Sequence, residues 1–107
     1  MKLILDECID RRLTQEFIGY EIKTVPQMGW AGTKNGKLLA LIEKEFDVFI
    51  TVDRNLSFQQ NLSQFNIAVV VLPAKSNRLM DLKPLVPKIL DILSTVIKGQ
   101  SVVISLE

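Results

Sequence analysis

Short runs of apolar residues alternate with stretches of helical periodicity along the whole chain. Five runs predict β-strands because they are continuously apolar or alternate between polar and apolar side chains. These runs cover residues 2–5, 20–25, 48–52, 67–72 and 101–106. Apolar positions recur every three to four residues in the stretches 9–17, 37–46 and 80–97, which predicts amphipathic helices. Strands that alternate with helices indicate an α/β fold, so we expect a three-layer α/β/α sandwich with a mainly parallel central sheet.

Local features refine this arrangement. The run 67–72 is apolar at every position and predicts a strand covered on both faces, whereas the alternation in 101–106 favours an edge strand. Pro84 and Pro87 are compatible with the helix at 80–97 if they lie in or before its first turn. A capping-box pattern at Ser57 predicts a short helix there. The segment 26–36 contains three glycines around Trp30 and predicts a loop.

Composition narrows the class of protein. A length of 107 residues is sufficient for one domain with its own core, and 48% hydrophobic with 23% charged residues is typical of a soluble globular chain. The net charge of +1 points neither toward nor away from nucleic acid. The chain shows no signal-peptide pattern and no run near the roughly 18 apolar residues of a membrane span. We therefore expect a cytoplasmic protein without a membrane contact.

Cysteine and histidine usage excludes several chemistries. With Cys8 as the single cysteine, the chain cannot form an internal disulfide, which suits a reducing compartment. The chain has no histidine, so a Cys–His nucleophile and a histidine-ligated zinc site are excluded, and a single cysteine cannot supply a thiolate zinc site. Cys8 is expected to be a small buried residue at the base of the first helix.

Acidic residues stand where two of the predicted strands end. Asp6 and Glu7 follow the first strand, and Asp53 follows the third. Ligands of open α/β sheets bind outside the carboxyl ends of the strands, where these side chains would meet. Carboxylates that lie close together repel each other, and a divalent cation is the commonest reason for such a grouping. The alternative is that each Asp caps the helix that follows it.

This inventory is compatible with a nuclease. Mg²⁺ prefers oxygen ligands and is often held by one or two carboxylates plus a substrate phosphate. Asp6 and Asp53 are candidate direct ligands, and Glu7 or Asp10 is a candidate further acid. Without histidine, a metal-bound water or a carboxylate would act as the general base. Glu7 and Asp10 are alternatively solvated acids that complement a helix dipole.

Candidate substrate contacts surround the same strand ends. Arg54 can pair with a phosphate and Asn55 can donate to one, although Asn55 equally suits a turn. Trp30 can stack on a base, pack its loop on the sheet, or lie in a partner interface. Other basic residues that could contact phosphates are Arg11, Arg12, Lys34, Lys37, Lys75 and Arg78.

Three segments of the chain carry a family resemblance. Residues 3–9, 24–30 and 49–56 resemble the small prokaryotic PIN-like domains of unknown function, and the resemblance extends over nearly all of residues 1–107. That family is similar to PIN-domain nucleases, which bind Mg²⁺ or Mn²⁺ through clustered acids and cut single-stranded RNA, often as toxins of toxin–antitoxin pairs. The resemblance implies that Asp6 and Asp53 match two of the acids and that Glu7 matches an acid that follows the first.

The chain departs from the family pattern at two places. Asn35 stands where relatives carry an acid at the start of the second helix, and the loop 73–78 lacks a fourth acid. Asn35 remains a candidate neutral oxygen ligand, but it lowers the negative charge that attracts a cation. The resemblance therefore implies either a weakened nuclease site or an inactive one.

Three hypotheses follow from these residues. The first is a metal-dependent, toxin-like ribonuclease that forms a homodimer and pairs with a small antitoxin-like protein. The second is a catalytically silent PIN-like module that binds RNA or a partner protein. The third, a phosphoacceptor receiver domain, shares the acids at Asp6, Glu7 and Asp53 but requires a Ser or Thr after the fourth strand and a Lys after the fifth, and neither is in place.

Overall fold

Five strands form one parallel sheet in the computed structural model, which describes residues 1–54, 61–73 and 78–104. Their bounds are Lys2–Leu5 (β1), Glu21–Thr24 (β2), Val48–Thr51 (β3), Ala68–Val71 (β4) and Ser101–Val103 (β5). The strand order is β2-β1-β3-β4-β5, and every neighbouring pair is parallel. The predicted parallel sheet is thus confirmed, and β5 lies at the edge, as its alternating pattern indicated.

The sheet order places the topological switch point between β1 and β3. The chain adds β2 on one side of β1 and then β3, β4 and β5 on the other, so the direction of growth reverses at this point. In doubly wound sheets such a reversal separates the connections on either side and leaves a crevice outside the carboxyl ends of the strands. Leu5 pairs with both Thr24 and Ile50, so the carboxyl ends of β1, β2 and β3 lie at one edge.

Helices fill the connections between the strands. The described α-helices are Asn35–Ile42 (α1), Leu79–Leu82 (α2) and Val86–Ile92 (α3). Tighter 3₁₀ turns occupy Arg11–Glu16, Pro26–Met28, Leu62–Gln64 and Lys83–Leu85. The predicted first helix therefore forms as a 3₁₀ helix, and α1 begins two residues earlier than the periodicity suggested and ends at Ile42. The capping-box segment at Ser57 lies outside the described residues.

The prediction of one continuous helix over residues 80–97 was wrong. The chain forms α2, a 3₁₀ turn and α3 in succession, and α3 ends at Ile92. Pro84 lies in the first turn of the 3₁₀ segment and Pro87 in the first turn of α3. A proline has no N–H to donate and its ring displaces the carbonyl four residues earlier, so two prolines divide the helix.

Two apolar cores lie on opposite faces of the sheet. Leu3 and Leu5 of β1 pack with the 3₁₀ helix Arg11–Glu16 and with α2 and α3, whereas Ile4 packs with α1. Alternate residues of a strand point to opposite faces, so an unbroken apolar strand serves both cores. These layers confirm the predicted three-layer sandwich. Among the residues described, no helix has the length and apolar character needed to cross a membrane.

Candidate functional site

Asp6 extends from the carboxyl end of β1 toward β3. Its backbone N–H donates to the Ile50 carbonyl at 2.9 Å, which continues the strand pairing by one residue and fixes the direction of the side chain. Its Oδ1 accepts from the Glu7 N–H at 2.8 Å, and its Oδ2 accepts from the Thr51 hydroxyl at 2.6 Å. Burial raises the pKa of Asp6, while these two hydrogen bonds oppose the rise.

Thr51 links the two acidic positions. It is fully buried at the end of β3, where its hydroxyl donates to Asp6 and also accepts from the backbone N–H of Asp53 at 3.0 Å. The negative charge of Asp53 contributes to the raised pKa of Asp6, as expected for carboxylates that are close neighbours. The structure therefore brings Asp6 and Asp53 together at the switch point.

Asn35 approaches Asp53 from the other side of the sheet edge. It is the first residue of α1, and its Nδ2 donates to the Asp53 Oδ2 at 3.5 Å, a long hydrogen bond. We call Asp6, Thr51, Asp53 and Asn35 the carboxyl-edge cluster. All three residues predicted as metal ligands belong to it, and sequence reasoning missed only Thr51 among its members. The available signal for Thr51 was a polar residue inside an otherwise apolar strand, two positions before Asp53.

The side-chain hydrogen bonds of Glu7 are made outside this cluster. Both oxygens of its exposed carboxylate accept from the backbone N–H of Gly32 at 3.2 Å. Glu7 also lines a shallow cavity with Arg11, at the carboxyl end of β2. Glu7 and Arg11 are thus neighbours on the β2 side of the switch point.

The other predicted contacts lie around the cluster in different ways. Lys34 is exposed directly before α1, and Arg54 is exposed directly after Asp53. Asn55 lies outside the described residues. Asp10 does not join the cluster, because it caps the 3₁₀ helix and binds Arg12 at 2.6 Å. The hydrogen bonds from Arg12 lower the pKa of Asp10 to about 2, and this supports the alternative in which Asp10 is a structural acid.

Cys8 is exposed, so the expectation that it is buried was wrong. The helical turns begin at Arg11 rather than at residue 9, and this leaves Cys8 in the turn that follows Asp6. Partial desolvation of the sulfur and the negative charge of Asp6 raise the pKa of Cys8 to about 11. The thiol is consequently protonated at neutral pH and is a poor nucleophile.

Trp30 packs its loop against the core. Its ring meets the Phe46 ring edge to face, with centroids 6.2 Å apart and planes at 86°. Half-buried, it joins the core on the α1 side of the sheet. Of the three roles weighed for Trp30, packing of the loop is the one that the contacts support.

The donor set of the cluster suits a cation that is shared with a substrate. Within residues 1–54, 61–73 and 78–104, no three His, Cys, Asp or Glu side chains are close enough to hold a metal. The cluster supplies two carboxylates and one amide. Mg²⁺ commonly keeps several waters and takes one or two carboxylates plus phosphate oxygens, so the residues fit an open site and not an all-protein cage.

Comparisons of this chain with known proteins found no match. Neither the protein-family models, nor the curated proteins, nor the solved structures match this chain. The sheet and its two cores show the α/β fold, and membership of the PIN-like family is a proposal.

Proposed function

We propose that the carboxyl-edge cluster is the centre of a PIN-like endoribonuclease that cuts single-stranded RNA with Mg²⁺ or Mn²⁺. The observation that carries this proposal is the pairing of Asp6 with Asp53 through Thr51. The pair lies at the point where the sheet reverses its growth, which is where doubly wound folds bind ligands.

The electrostatics of the pair support a cation. Asp6 is half-buried, and burial is the main cause of its raised pKa, to which the negative charges of Glu7 and Asp53 add. A bound divalent ion would favour the ionised form of both carboxyl groups and relieve their repulsion. A half-buried carboxyl group whose ionised form is disfavoured in this way is more easily explained by a ligand than by a contribution to stability.

Each residue would have a distinct part in hydrolysis. Asp6 and Asp53 would hold the metal, and Asn35 would add a neutral oxygen ligand. The metal, when bound, supplies an activated water and charge stabilisation at the phosphate. Because Cys8 is protonated and the chain has no histidine, a proton acceptor supplied by the protein would be a carboxylate. The exposed cations Lys34 and Arg54 would contact the RNA backbone.

A cleavage assay tests this function. Purified protein is incubated with single-stranded RNA and Mn²⁺, and the rate is compared with that in EDTA and with the rates of Asp6→Asn and Asp53→Asn. We expect cleavage to be lost in all three. Asp91→Asn is the matched control, since Asp91 is an exposed acid on α3 and its substitution should leave the rate unchanged. An Asp53→Asn variant that cuts as fast as the wild type would contradict the proposal.

A second function, a silent module that binds RNA or a partner protein, is favoured by Asn35. Its amide donates to the Asp53 carboxylate, at the position where the PIN-like domains that the chain resembles carry an acid. Asn35→Asp distinguishes the two functions, because a third carboxylate should strengthen Mn²⁺ binding and raise cleavage above that of the wild type. If the folded wild type binds RNA without Mn²⁺ and never cuts it, the silent module is supported.

The proposed biological context follows from the same family. A toxin-like ribonuclease of this kind would pair with a small antitoxin-like protein and would form a homodimer. Sedimentation of the purified protein tests the dimer directly, and co-expression with the product of a neighbouring short reading frame tests the partner.

A further inference from the structure

Two adjacent acids bind different partners at the end of β1. Asp6 turns toward β3 and binds Thr51, whereas Glu7 turns toward the loop that leads into α1. Its carboxylate receives the N–H of Gly32, a residue 25 positions later in the chain. Both carboxylate oxygens share this one N–H at 3.2 Å, so the contact joins the turn after β1 to the loop before α1.

The loop held by Glu7 ends at the cluster. Before Gly32, the Trp30 N–H donates to the Val25 carbonyl at 3.2 Å and the Trp30 ring packs on Phe46. Gly32 itself has a φ of +81°, a conformation that glycine adopts without strain. Three residues later Asn35 starts α1 and donates to Asp53.

We propose that Glu7 is a positioning residue that clamps the loop 30–34 and thereby sets the start of α1 against Asp53. The inference rests on the proposed function in one respect only, which is that the carboxyl-edge cluster is the nuclease centre. It gives Glu7 a role different from that of a metal-binding acid, because the contact of its carboxylate is with Gly32 in the loop, whereas Asp6 contacts Thr51 in the cluster. The clamp also gives the Glu7 carboxylate a purpose next to a site where Asp6 and Asp53 already provide two negative charges.

Two variants and a matched control separate the clamp from a general effect on folding. Glu7→Ala removes both acceptor oxygens, and Glu7→Gln keeps one oxygen that can accept from Gly32. Glu43→Ala is the control, because Glu43 accepts a backbone N–H from Asn66 at 3.1 Å, in a contact of the same kind elsewhere. Amide hydrogen exchange is followed at Gly32 and Asn66 by NMR, without metal or RNA.

In Glu7→Ala we expect exchange at Gly32 to become about fivefold faster, which corresponds to about 1 kcal/mol at roughly 1.4 kcal/mol per tenfold. Glu7→Gln should show a smaller increase, and Glu43→Ala should accelerate Asn66 and leave Gly32 unchanged. Trp30 is the one tryptophan of the chain, so acrylamide quenching of its fluorescence gives a second readout of the loop. Quenching should increase in Glu7→Ala and not in the control.

Wild-type exchange and quenching in a folded Glu7→Ala variant would overturn the clamp. A Glu7→Gln variant that loses Mn²⁺ binding while Gly32 stays protected would also overturn it, and would return Glu7 to the set of metal ligands. Because the exchange and quenching experiments contain no RNA and no metal, the clamp can be confirmed even if the protein proves not to be a nuclease.

Discussion

Replacing Thr51 by valine tests the link on which the cluster depends. The side chain is fully buried, and valine keeps its branched shape while it exchanges the hydroxyl for a methyl group. The substitution removes the hydrogen bond to Asp6 at 2.6 Å and the one from the Asp53 N–H at 3.0 Å. We therefore expect Thr51→Val to be destabilised and to hold the two acids less firmly.

The magnitude follows from the two contacts. A hydrogen bond to a charged group is worth about 1.5–3 kcal/mol and one between neutral groups about 0.5–1.5 kcal/mol. Asp6 and Asp53 are only half-buried, so hydrogen bonds to water compensate for part of the lost stabilisation. Burial of the new methyl group stabilises the variant by about 0.8 kcal/mol. We expect the free energy of unfolding at pH 7 to fall by about 2 kcal/mol, which for a chain of this length lowers the Tm by about 8 °C.

The pH dependence supplies a sharper test. The hydrogen bond from Thr51 lowers the pKa of Asp6, so its loss should move this pKa further above the ordinary value of 3.8. For a carboxyl group whose pKa is raised by folding, stability is lost as the pH rises through the interval between the unfolded and the folded pKa. The deficit of Thr51→Val should therefore be largest at neutral pH and should shrink as the pH falls and Asp6 becomes protonated in both proteins.

Urea unfolding at several pH values measures this deficit, and NMR titration of Asp6 measures the pKa. Thr51→Ser is the control, because it keeps the hydroxyl and removes a buried methyl group, at a cost of about 1 kcal/mol. In that variant the deficit should be independent of pH and the titration of Asp6 should stay as in the wild type. If Thr51→Val unfolds like the wild type, or if its deficit is equal at acidic and neutral pH, the hydroxyl does not link the two acids.

Three further outcomes are expected. The thiol of Cys8 should react slowly with iodoacetamide at pH 8 despite its exposure, and Asp6→Asn should accelerate the reaction because the Asp6 charge helps to raise the Cys8 pKa to about 11. Folding lowers the pKa of Asp10 from 3.8 to about 2, so the stability that this carboxylate contributes is present above pH 3.8 and is lost as the pH falls through about 2. In Arg12→Ala, NMR titration should give a higher pKa for Asp10, because the hydrogen bonds from Arg12 are the main cause of the lowering. Leu39→Ala should lower the free energy of unfolding by about 2–5 kcal/mol in urea, since Leu39 is fully buried on α1; a loss below 1 kcal/mol would contradict the packing described.

The sheet could be predicted from the sequence because its signal is local. Each strand lies in a run that is continuously apolar or alternates between polar and apolar residues, and the alternation of such runs with helical segments indicates parallel pairing without knowledge of any contact. The ends of elements depend on contacts that periodicity does not contain. Val52 extends the third apolar run, but β3 ends at Thr51, where the Asp53 N–H turns back to the threonine hydroxyl. Pro84 and Pro87 broke a helix whose apolar spacing continued across them.

The part of the site that could be predicted consists of acidic residues that directly follow a strand. Asp6 and Asp53 follow strands that proved to be neighbours, so their meeting required only the correct strand order. The role of Thr51 was missed because threonine favours strands and its presence in one needs no further explanation. The direction of Glu7 depends on a loop 25 residues away, and a pattern along the chain carries no information about that contact.

Hydrogen bonds between protein groups join the members of the cluster. Thr51 donates to Asp6, Asn35 donates to Asp53, and the buried threonine aligns the two backbones, so each acid already has a protein partner. The fold should therefore not depend on metal, in contrast to small domains in which metal binding supplies the folding free energy. A cation that bound here would compete with the amide of Asn35 for Asp53 and would gain the attraction of two carboxylates held at fixed positions. Removal of metal by EDTA should then abolish RNA cleavage without changing the free energy of unfolding. If the ion were structural, EDTA would lower the free energy of unfolding as well.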